Sequence, residues 1–249
     1  MKFKDVEKIL SLIPFTSPSK GKIFYDHVIK YKPKKCLELG FAHGTATNYI
    51  AAALDELEEG HITAVDLEKS INEKPNLEEL LIKTKLEKIV SIYREKNSYN
   101  WFLNKDIEIN SDENYNCNPK YDLIFIDGPK DWTIDGFAFF LADKLLKKDG
   151  WIVFDDYLWS DYKEINQKVP DYNPLNFSED QNLKPNIKEV FHKLVMQHPQ
   201  YSNFKITDNV LAWAQKTKQN ENIHLLFTSS ASFKYKFIHL IKRLIGRKY

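Results

Sequence analysis

The sequence predicts an α/β protein with a doubly wound, seven-stranded and mostly parallel sheet that an antiparallel hairpin closes. Strand-like and helix-like segments alternate through the middle of the chain, which is the pattern of a parallel sheet with helices on both faces. Two short apolar runs joined by a turn near residue 208 predict the hairpin. With 249 residues, 43% of them hydrophobic, the chain is long enough for one large domain.

Each predicted element is a periodic or apolar run that ends at a turn signal. The expected strands are residues 35–39, 61–65, 89–93, 121–126 and 150–154, with hairpin arms at 204–207 and 210–214. The expected helices are residues 45–57, 76–84, 134–147 and 186–197, preceded by a helical cap in residues 1–33. Thr45 is expected to cap the first of these helices. The stretch from 94 to 119 is polar and predicts no element.

Two segments differ from this pattern. Residues 160–185 are polar, show no period and contain three prolines, which predicts a long substrate loop over the site. The domain is then expected to span residues 1–217, followed by a tail, 218–249. Residues 233–249 contain six Lys or Arg and no acid, with apolar residues at helical spacing. This tail fits an amphipathic helix on an anionic membrane surface and equally a helix docked on the domain.

Composition excludes several classes of protein. The net charge is +1, so the whole molecule has no general attraction for nucleic acid. Cys36 and Cys117 lie far apart in the chain, and Cys36 begins an apolar run, which predicts a buried reduced thiol and a cytoplasmic location. We expect neither a signal peptide nor a spanning helix, because no run approaches about 18 apolar residues.

Carboxylates end two successive strand-like runs, and they would meet if these two strands are neighbours in the sheet. Asp127 follows residues 121–126, and Asp155 with Asp156 follows residues 150–154. Ligands of open parallel sheets bind beyond the carboxyl ends of strands, so these acids are placed for chemistry. Three carboxylates suit a hard divalent cation, and Lys130 adds a nearby amine. The set predicts a metal-assisted deprotonation site, although solvated loop acids are the simpler alternative.

A glycine turn, Glu38 to Gly44, follows the first strand and predicts a close approach of backbone to a ligand. It lacks the G-x-G-x-x-G spacing that a dinucleotide needs, which argues against an NAD-dependent oxidoreductase. Asp66 ends the second strand, where it suits a ribose diol. A nucleoside without phosphates fits both observations.

Five segments together resemble class I S-adenosylmethionine-dependent methyltransferases of Rossmann-like fold, specifically the cation-dependent O-methyltransferases of the catechol and caffeoyl-CoA type. These segments are residues 16–21 (TSPSKG), 38–44 (ELGFAHG), 64–66 (AVD), 126–131 (IDGPKD) and 154–159 (FDDYLW). The resemblance implies S-adenosylmethionine as cofactor. The residues that match its binding site are Glu38, Gly40, Gly44, Thr45, Asp66 and Asp127. Asn97 and Ser98 are expected, from their position in the chain, to contact the adenine.

For the acceptor side, the resemblance implies Asp127, Asp155 and Asp156 as ligands of a divalent cation, with Mg²⁺ expected. Lys130 matches the lysine that takes the substrate proton, and Asp127 is its expected catalytic neighbour. Asp131 is the reserve candidate for the base. The sequence departs from the family at one of these positions, since the family usually has Asn where Asp156 stands.

The expected reaction is O-methylation of a hydroxyl on a sugar or glycan precursor, or on a phenolic small molecule. A metal-independent N- or O-methyltransferase and a non-catalytic nucleoside-binding module remain alternatives. We also expect a homodimer, and peripheral contact of residues 233–249 with the inner membrane face. Trp101 and Trp151 are expected in the core, Trp132 and Trp159 beside the acids, and His43 outside the site.

Overall fold

The computed structural model describes residues 1–160 and 178–219. Seven strands form one sheet: β1 (Lys35–Leu39), β2 (His61–Leu67), β3 (Val90–Glu95), β4 (Tyr121–Ile126), β5 (Leu146–Phe154), β6 (Tyr201–Thr207) and β7 (Leu211–Lys216). Their spatial order is β3-β2-β1-β4-β5-β7-β6. Strands β1 to β5 pair in parallel, whereas β7 is antiparallel to both β5 and β6. This architecture confirms the predicted fold class.

Eight α-helices are present in the described part of the chain. They are α1 (Phe3–Leu10), α2 (Pro18–Tyr31), α3 (Thr45–Glu56), α4 (Leu77–Thr84), α5 (Tyr99–Ile109), α6 (Trp132–Leu145), α7 (Glu179–Leu183) and α8 (Asn186–Val190). A π-helical turn, Phe191–Val195, continues α8, and 3₁₀ turns occupy Glu68–Asn72 and Glu87–Ile89. None of these helices is long and apolar enough to cross a membrane.

The two faces of the sheet carry separate cores. Helices α1 to α4 pack on one face, and α5, α6 and α8 pack on the other. Strand β4 serves both, because Leu123 and Phe125 point to the first core while Ile124 and Ile126 point to the second. The chain leaves central β1 towards β2 and later returns to β4 on its other side, so the switch point lies between the carboxyl ends of β1 and β4.

The structure differs from the sequence-based expectation at several points. Helix α5 lies in the stretch for which no element was predicted. The expected helix 186–197 is divided into α8 and the π-helical turn. Trp101 is 60% exposed on α5, so its expected place in the core was wrong. Trp151 is partly buried against the first core, and Cys36 is a buried free thiol, as predicted.

The two segments that departed from the α/β pattern are only partly described. Within the predicted substrate loop, residues 178–185 contain α7, while residues 161–177 lie outside the described residues. The tail beyond residue 219 also lies outside them, so its membrane or docking role remains a prediction.

Candidate active site

A cavity of about 370 Å³ lies at the switch point of the sheet. This volume is within the range of about 300–1,000 Å³ that small-molecule sites occupy. The turns after β1, β2, β3, β4 and β5 all contribute to its wall. The sequence-predicted site residues that line it are Glu38, Gly40, Thr45, Asp66, Asn97, Ser98, Asp127, Lys130, Asp155 and Asp156.

Two glycines shape the turn after β1. Gly40 has φ +92°, and a Cβ placed there would lie 2.1 Å from the carbonyl oxygen of Asp127. Glycine is therefore required where β1 and β4 deliver their loops to the cavity. Gly44 is the N-cap of α3, with φ +84°, and does not line the cavity. Thr45, expected to be this cap, is instead the first residue of the helix.

Glu38 is 1% exposed and lines the cavity from within β1. Its Oε2 accepts a hydrogen bond from the hydroxyl of Thr47. Its Oε1 is buried without a hydrogen-bond partner among the described residues. Burial raises the pKa of Glu38 well above its usual range, although the Thr47 bond acts in the opposite direction. A buried carboxyl oxygen without a partner leaves a hydrogen-bonding position that a bound ligand can complete.

Asp66 connects the end of β2 to the glycine turn. Its Oδ2 accepts hydrogen bonds from the backbone N–H groups of Phe41, at 2.8 Å, and Ala42, at 2.6 Å. Its Oδ1 accepts from the N–H of Leu67 at 2.6 Å. A carboxylate has about four lone-pair positions, so further acceptor capacity is left for a ligand.

Asn97 and Ser98 lie between β3 and α5, at the position expected for adenine contacts. Ser98 is the N-cap of α5, and its hydroxyl oxygen accepts from the N–H of Asn100 at 3.1 Å. Both residues line the cavity together with Tyr99. The structure thus places them beside the rest of the predicted cofactor site.

Asp127, Asp155 and Asp156 come together as the sequence predicted. Each offers a carboxylate oxygen, and these three oxygens lie within 4.8 Å of one another. The two loops that carry these acids extend the sheet, because the N–H of Asp127 donates to the carbonyl of Leu39 at 2.8 Å and that of Asp155 to Ile126 at 3.0 Å. Strand pairing therefore sets the spacing of the acid cluster, a name we keep for these three residues.

Two lysines neutralise part of the acid cluster. The Nζ of Lys130 contacts Asp127, donates to the carbonyl of Gly128 at 2.8 Å and lies 3.4 Å from Oδ2 of Asp156. The Nζ of Lys20 contacts Oδ2 of Asp155. Sequence reasoning missed Lys20, because the two partners are 135 residues apart. Its only signal was its place in the segment TSPSKG.

The same contacts determine the proton occupancy of the lysines. Burial lowers the pKa of Lys130, but the carboxylates of Asp127, Asp156 and Asp155 together raise it above its ordinary value. Lys130 is therefore an ammonium group in this arrangement, and the expected role as base requires the charge of the acid cluster to be offset first. Burial, followed by the neighbouring charges of Asp127 and Asp156, raises the pKa of Asp155.

Asp131, the reserve candidate for the base, has a different task. It is the N-cap of α6, and its Oδ1 accepts from the N–H groups of Thr133, at 2.8 Å, and Ile134, at 2.7 Å. Its Oδ2 lies 3.4 Å from the amide nitrogen of Gln181. Asp131 does not line the cavity, so the structure does not support a role as base.

The acid cluster fits a divalent cation by two criteria. Its three carboxylates supply the hard oxygen ligands that Mg²⁺ prefers. In addition, Oδ1 of Asp155 is buried without a hydrogen-bond partner among the described residues, although Asp155 is only 2% exposed. A buried acceptor without a donor is costly unless a ligand or ion completes it.

The three remaining residues considered for the site, His43, Trp132 and Trp159, lie at different places in the structure. His43 is held outside the cavity, where its Nδ1 lies 2.6 Å from the carbonyl of Pro75 and its ring stacks on Phe15. Trp132 follows the capping residue of α6 and lines a second groove, with the Nζ of Lys193 5.8 Å from its ring centroid. Trp159 lies at the end of the described segment, three residues beyond Asp156.

Comparison with known proteins agrees with this geometry. Residues 37–157 match the family model described as a methyltransferase domain. This segment begins within β1 and extends past β5, so it contains the cofactor-side residues and the acid cluster. A comparison with curated protein sequences gives no match.

Solved methyltransferases share the fold at low sequence identity. A Staphylococcus aureus structure, described provisionally as a caffeoyl-CoA O-methyltransferase, is 20% identical with a TM-score of 0.60, over 87% of this chain and 92% of that one. The Bacillus cereus O-methyltransferase in complex with SAH is 18% identical with a TM-score of 0.59, over 87% and 92%. The O-methyltransferase TomG from Streptomyces achromogenes, in complex with SAM, is 14% identical with a TM-score of 0.57, over 87% and 89%.

The match over residues 37–157 covers most of the segments on which the sequence resemblance rests, but not residues 16–21. The matched segment includes the glycine turn, Asp66 and all three acids of the cluster. The match over residues 37–157 assigns a methyltransferase domain to this segment, and solved methyltransferases share its fold.

Proposed function

We propose that this chain transfers the methyl group of S-adenosylmethionine to a hydroxyl oxygen, with a divalent cation, Mg²⁺, at the acid cluster. One observation carries the proposal. A single cavity is lined both by Glu38 and Asp66, which suit the cofactor, and by the three acids, which suit a cation and its bound acceptor. Cofactor and acceptor must share one enclosed space for direct methyl transfer.

On the cofactor side, each residue has a separate task. The free Oε1 of Glu38 accepts a hydrogen bond from the amino group of the methionine part. Asp66 accepts from the ribose hydroxyls while its backbone contacts keep the glycine turn in place. Gly40 leaves room for close approach, and Asn97 with Ser98 contacts the adenine.

On the acceptor side, Asp127, Asp155 and Asp156 would hold the cation. A bound divalent cation supplies a lower pKa for the acceptor hydroxyl and offsets the carboxylate charge that raises the pKa of Lys130. With that charge offset, Lys130 would release its extra proton to solvent, and the neutral Nζ would then be the atom placed to take the hydroxyl proton. Until then its ammonium group holds Asp127 in position.

The acceptor is proposed to be a sugar or glycan precursor or a phenolic small molecule. Both present a hydroxyl whose proton must leave before its oxygen attacks the methyl group. The name of the Staphylococcus aureus neighbour supports a phenolic acceptor. The polar composition of residues 160–185 supports a glycan.

One observation favours a second candidate, a metal-independent methyltransferase. Lys20 and Lys130 already place two ammonium groups against the three carboxylates. Because these ammonium groups already neutralise most of the carboxylate charge, the site can support chemistry without a cation. The two candidates differ in their response to a chelator.

Calorimetry and activity measurements test these proposals. We expect wild-type protein to bind S-adenosylmethionine, and Asp66→Ala to lose at least about tenfold in affinity, the typical value of one well-placed charged hydrogen bond. Glu68→Ala removes a nearby acid that does not line the cavity and is the matched control. Undetectable binding by the wild type would contradict the cofactor assignment.

Methyl transfer is then assayed with catechols and with simple glycosides, with EDTA and after Mg²⁺ is restored. Loss of turnover in EDTA and recovery with Mg²⁺ are the expected results. Full turnover in EDTA would reject the cation and favour the metal-independent candidate. A protein that binds the cofactor but methylates neither acceptor class would point to the non-catalytic nucleoside-binding module.

We further propose a cytoplasmic homodimer that contacts anionic membranes through residues 233–249. The six basic residues of that segment and its lack of acids support the membrane contact. Sedimentation with phosphatidylserine vesicles tests it, with Lys242→Glu/Arg243→Glu as the comparison. Equal sedimentation of both proteins would reject the membrane contact, and sedimentation velocity reports the oligomeric state.

A further inference from the structure

We propose that Lys20 is a positioning residue of the acid cluster, which holds Oδ2 of Asp155 and leaves Oδ1 of the same carboxylate free for the cation. The inference rests on the proposed function, since it concerns the cation at that site. It assigns a task to the N-terminal segment, because Lys20 lies outside the matched residues 37–157.

The contact is buried and specific. The side chain of Lys20 is 13% exposed and that of Asp155 2% exposed. Lys20 Nζ contacts Oδ2, whereas Oδ1 has no hydrogen-bond partner among the described residues. The two oxygens of one carboxylate therefore differ in occupancy, as expected when one is held by an outer partner and the other serves as a ligand.

The backbone that carries Lys20 is held in place. Lys20 is the third residue of α2, and its N–H donates to the hydroxyl oxygen of the capping residue Ser17 at 3.3 Å. The next residue, Gly21, packs against Tyr49 of α3 so closely that a Cβ would lie 2.3 Å from the ring. Helix α2 cannot move towards α3 at this point, so the reach of Lys20 to Asp155 is determined by the fold.

A different role for Lys20 makes the opposite prediction. If Lys20 were only a counter-charge that a cation must displace, removing its ammonium group would tighten cation binding. A positioning role predicts weaker binding, because Asp155 would lose the contact that orients it and would be buried beside two other carboxylates without its partner. The unequal occupancy of the two Asp155 oxygens favours positioning.

The test is Mn²⁺ binding to the full chain, measured by calorimetry and by electron paramagnetic resonance. We expect Lys20→Met to weaken Mn²⁺ affinity by about 10–100-fold, the usual effect of removing an outer partner of a metal ligand. Lys20→Arg keeps a donor and a charge and should recover most of this loss. Lys22→Met is the matched control, since Lys22 lies on the same helix but pairs with exposed Asp26. S-adenosylmethionine affinity, measured on the same four proteins, should change far less than Mn²⁺ affinity, because Lys20 does not line the cavity and acts on Glu38 only through its charge.

Equal or tighter Mn²⁺ binding by Lys20→Met would overturn the positioning role while leaving the proposed function intact. Absence of Mn²⁺ binding by the wild type would overturn both this inference and the cation, and cofactor binding in the same samples would still report the methyltransferase assignment. Should Lys20→Met fail to fold, Lys20→Arg decides. If Lys20→Arg binds the cofactor normally but binds Mn²⁺ too weakly to detect, the inference is rejected.

Discussion

Buried carboxylates around the site differ in the partners that hold them. Glu38 keeps one free oxygen, whereas each of the two oxygens of Asp135 has a hydrogen-bond donor. Asp135 is 0% exposed, accepts from the hydroxyl of Tyr99 at one oxygen and from the N–H of Asp131 at the other. Burial raises the pKa of Asp135 to about 6. Asp135 lies behind the loop of Asp127 to Lys130. The protonation state of its carboxyl group therefore affects the stability of the site.

The raised pKa predicts a pH dependence of stability. The ordinary pKa of this group is 3.8 and the folded value is about 6, so the stability it contributes is present below about pH 4 and lost as the pH rises through about 6. Two pKa units correspond to about 3 kcal/mol. In urea denaturation from pH 4 to pH 7, the free energy of unfolding of the wild type should fall by about this amount relative to Asp135→Asn. A constant difference across that range would contradict the assignment.

Gly40 has a backbone conformation and surroundings that exclude a side chain. We expect Gly40→Ala to lose about 2–3 kcal/mol of stability, because its φ is +92° and the new Cβ would overlap the Asp127 carbonyl. Cofactor affinity should fall with it. Gly136→Ala is the control, since its Cβ would meet only side-chain methyl groups, of Leu194 at 3.2 Å and Val190 at 3.6 Å, and alanine favours a helix. Equal unfolding midpoints for the two variants in urea would refute the steric argument.

At the scale of helices and strands, prediction succeeded where one pattern dominated. The bounds of β1 and β4 were predicted to the residue, because apolar runs end there at a glycine and an aspartate. Helix α5 was missed although its buried residues, Tyr99, Phe102, Leu103 and Asp106, have helical spacing. The last of them is a charged residue, which pairs with Lys120 and Tyr121 across the structure. A charged residue on the buried face of a helix interrupts the apolar periodicity from which helices are predicted.

The start of α6 offers a test of cap against base. Asp131→Ala should cost about 1 kcal/mol, because the N–H groups of Thr133 and Ile134 lose their acceptor. Asp131→Asn keeps a capping oxygen and should retain both stability and turnover. Thermal unfolding and a methyl-transfer assay on both variants distinguish the roles. Inactive but stable Asp131→Asn protein would restore Asp131 as a candidate base.

At the scale of the whole molecule, the doubly wound topology explains which parts of the site the sequence could reveal. Acids that follow parallel strands must meet at one edge of the sheet, so the grouping of Asp127, Asp155 and Asp156 was predictable. Lys20 was not, because its approach depends on how α2 packs across the sheet edge. Nor could the sequence show that Lys130 is held as an ammonium group, since this depends on the distances to three carboxylates.

The hydrogen bonds that continue the sheet into the site have a kinetic consequence. The amides of Gly40, Asp127 and Asp155 donate to the carbonyls of Val65, Leu39 and Ile126, respectively, as the last bonds of the central strands. Their deuterium exchange then requires the sheet itself to open, which places them among the slowest amides although they border a cavity. Mass spectrometry after deuterium labelling should show them exchanging with the core of β4, whereas fast exchange would mean that the loops open independently. The hydrogen bonds that hold the acid-bearing loops thus stay closed as long as those of the sheet. Ligands must therefore enter through side-chain and loop motions rather than by separation of the strands.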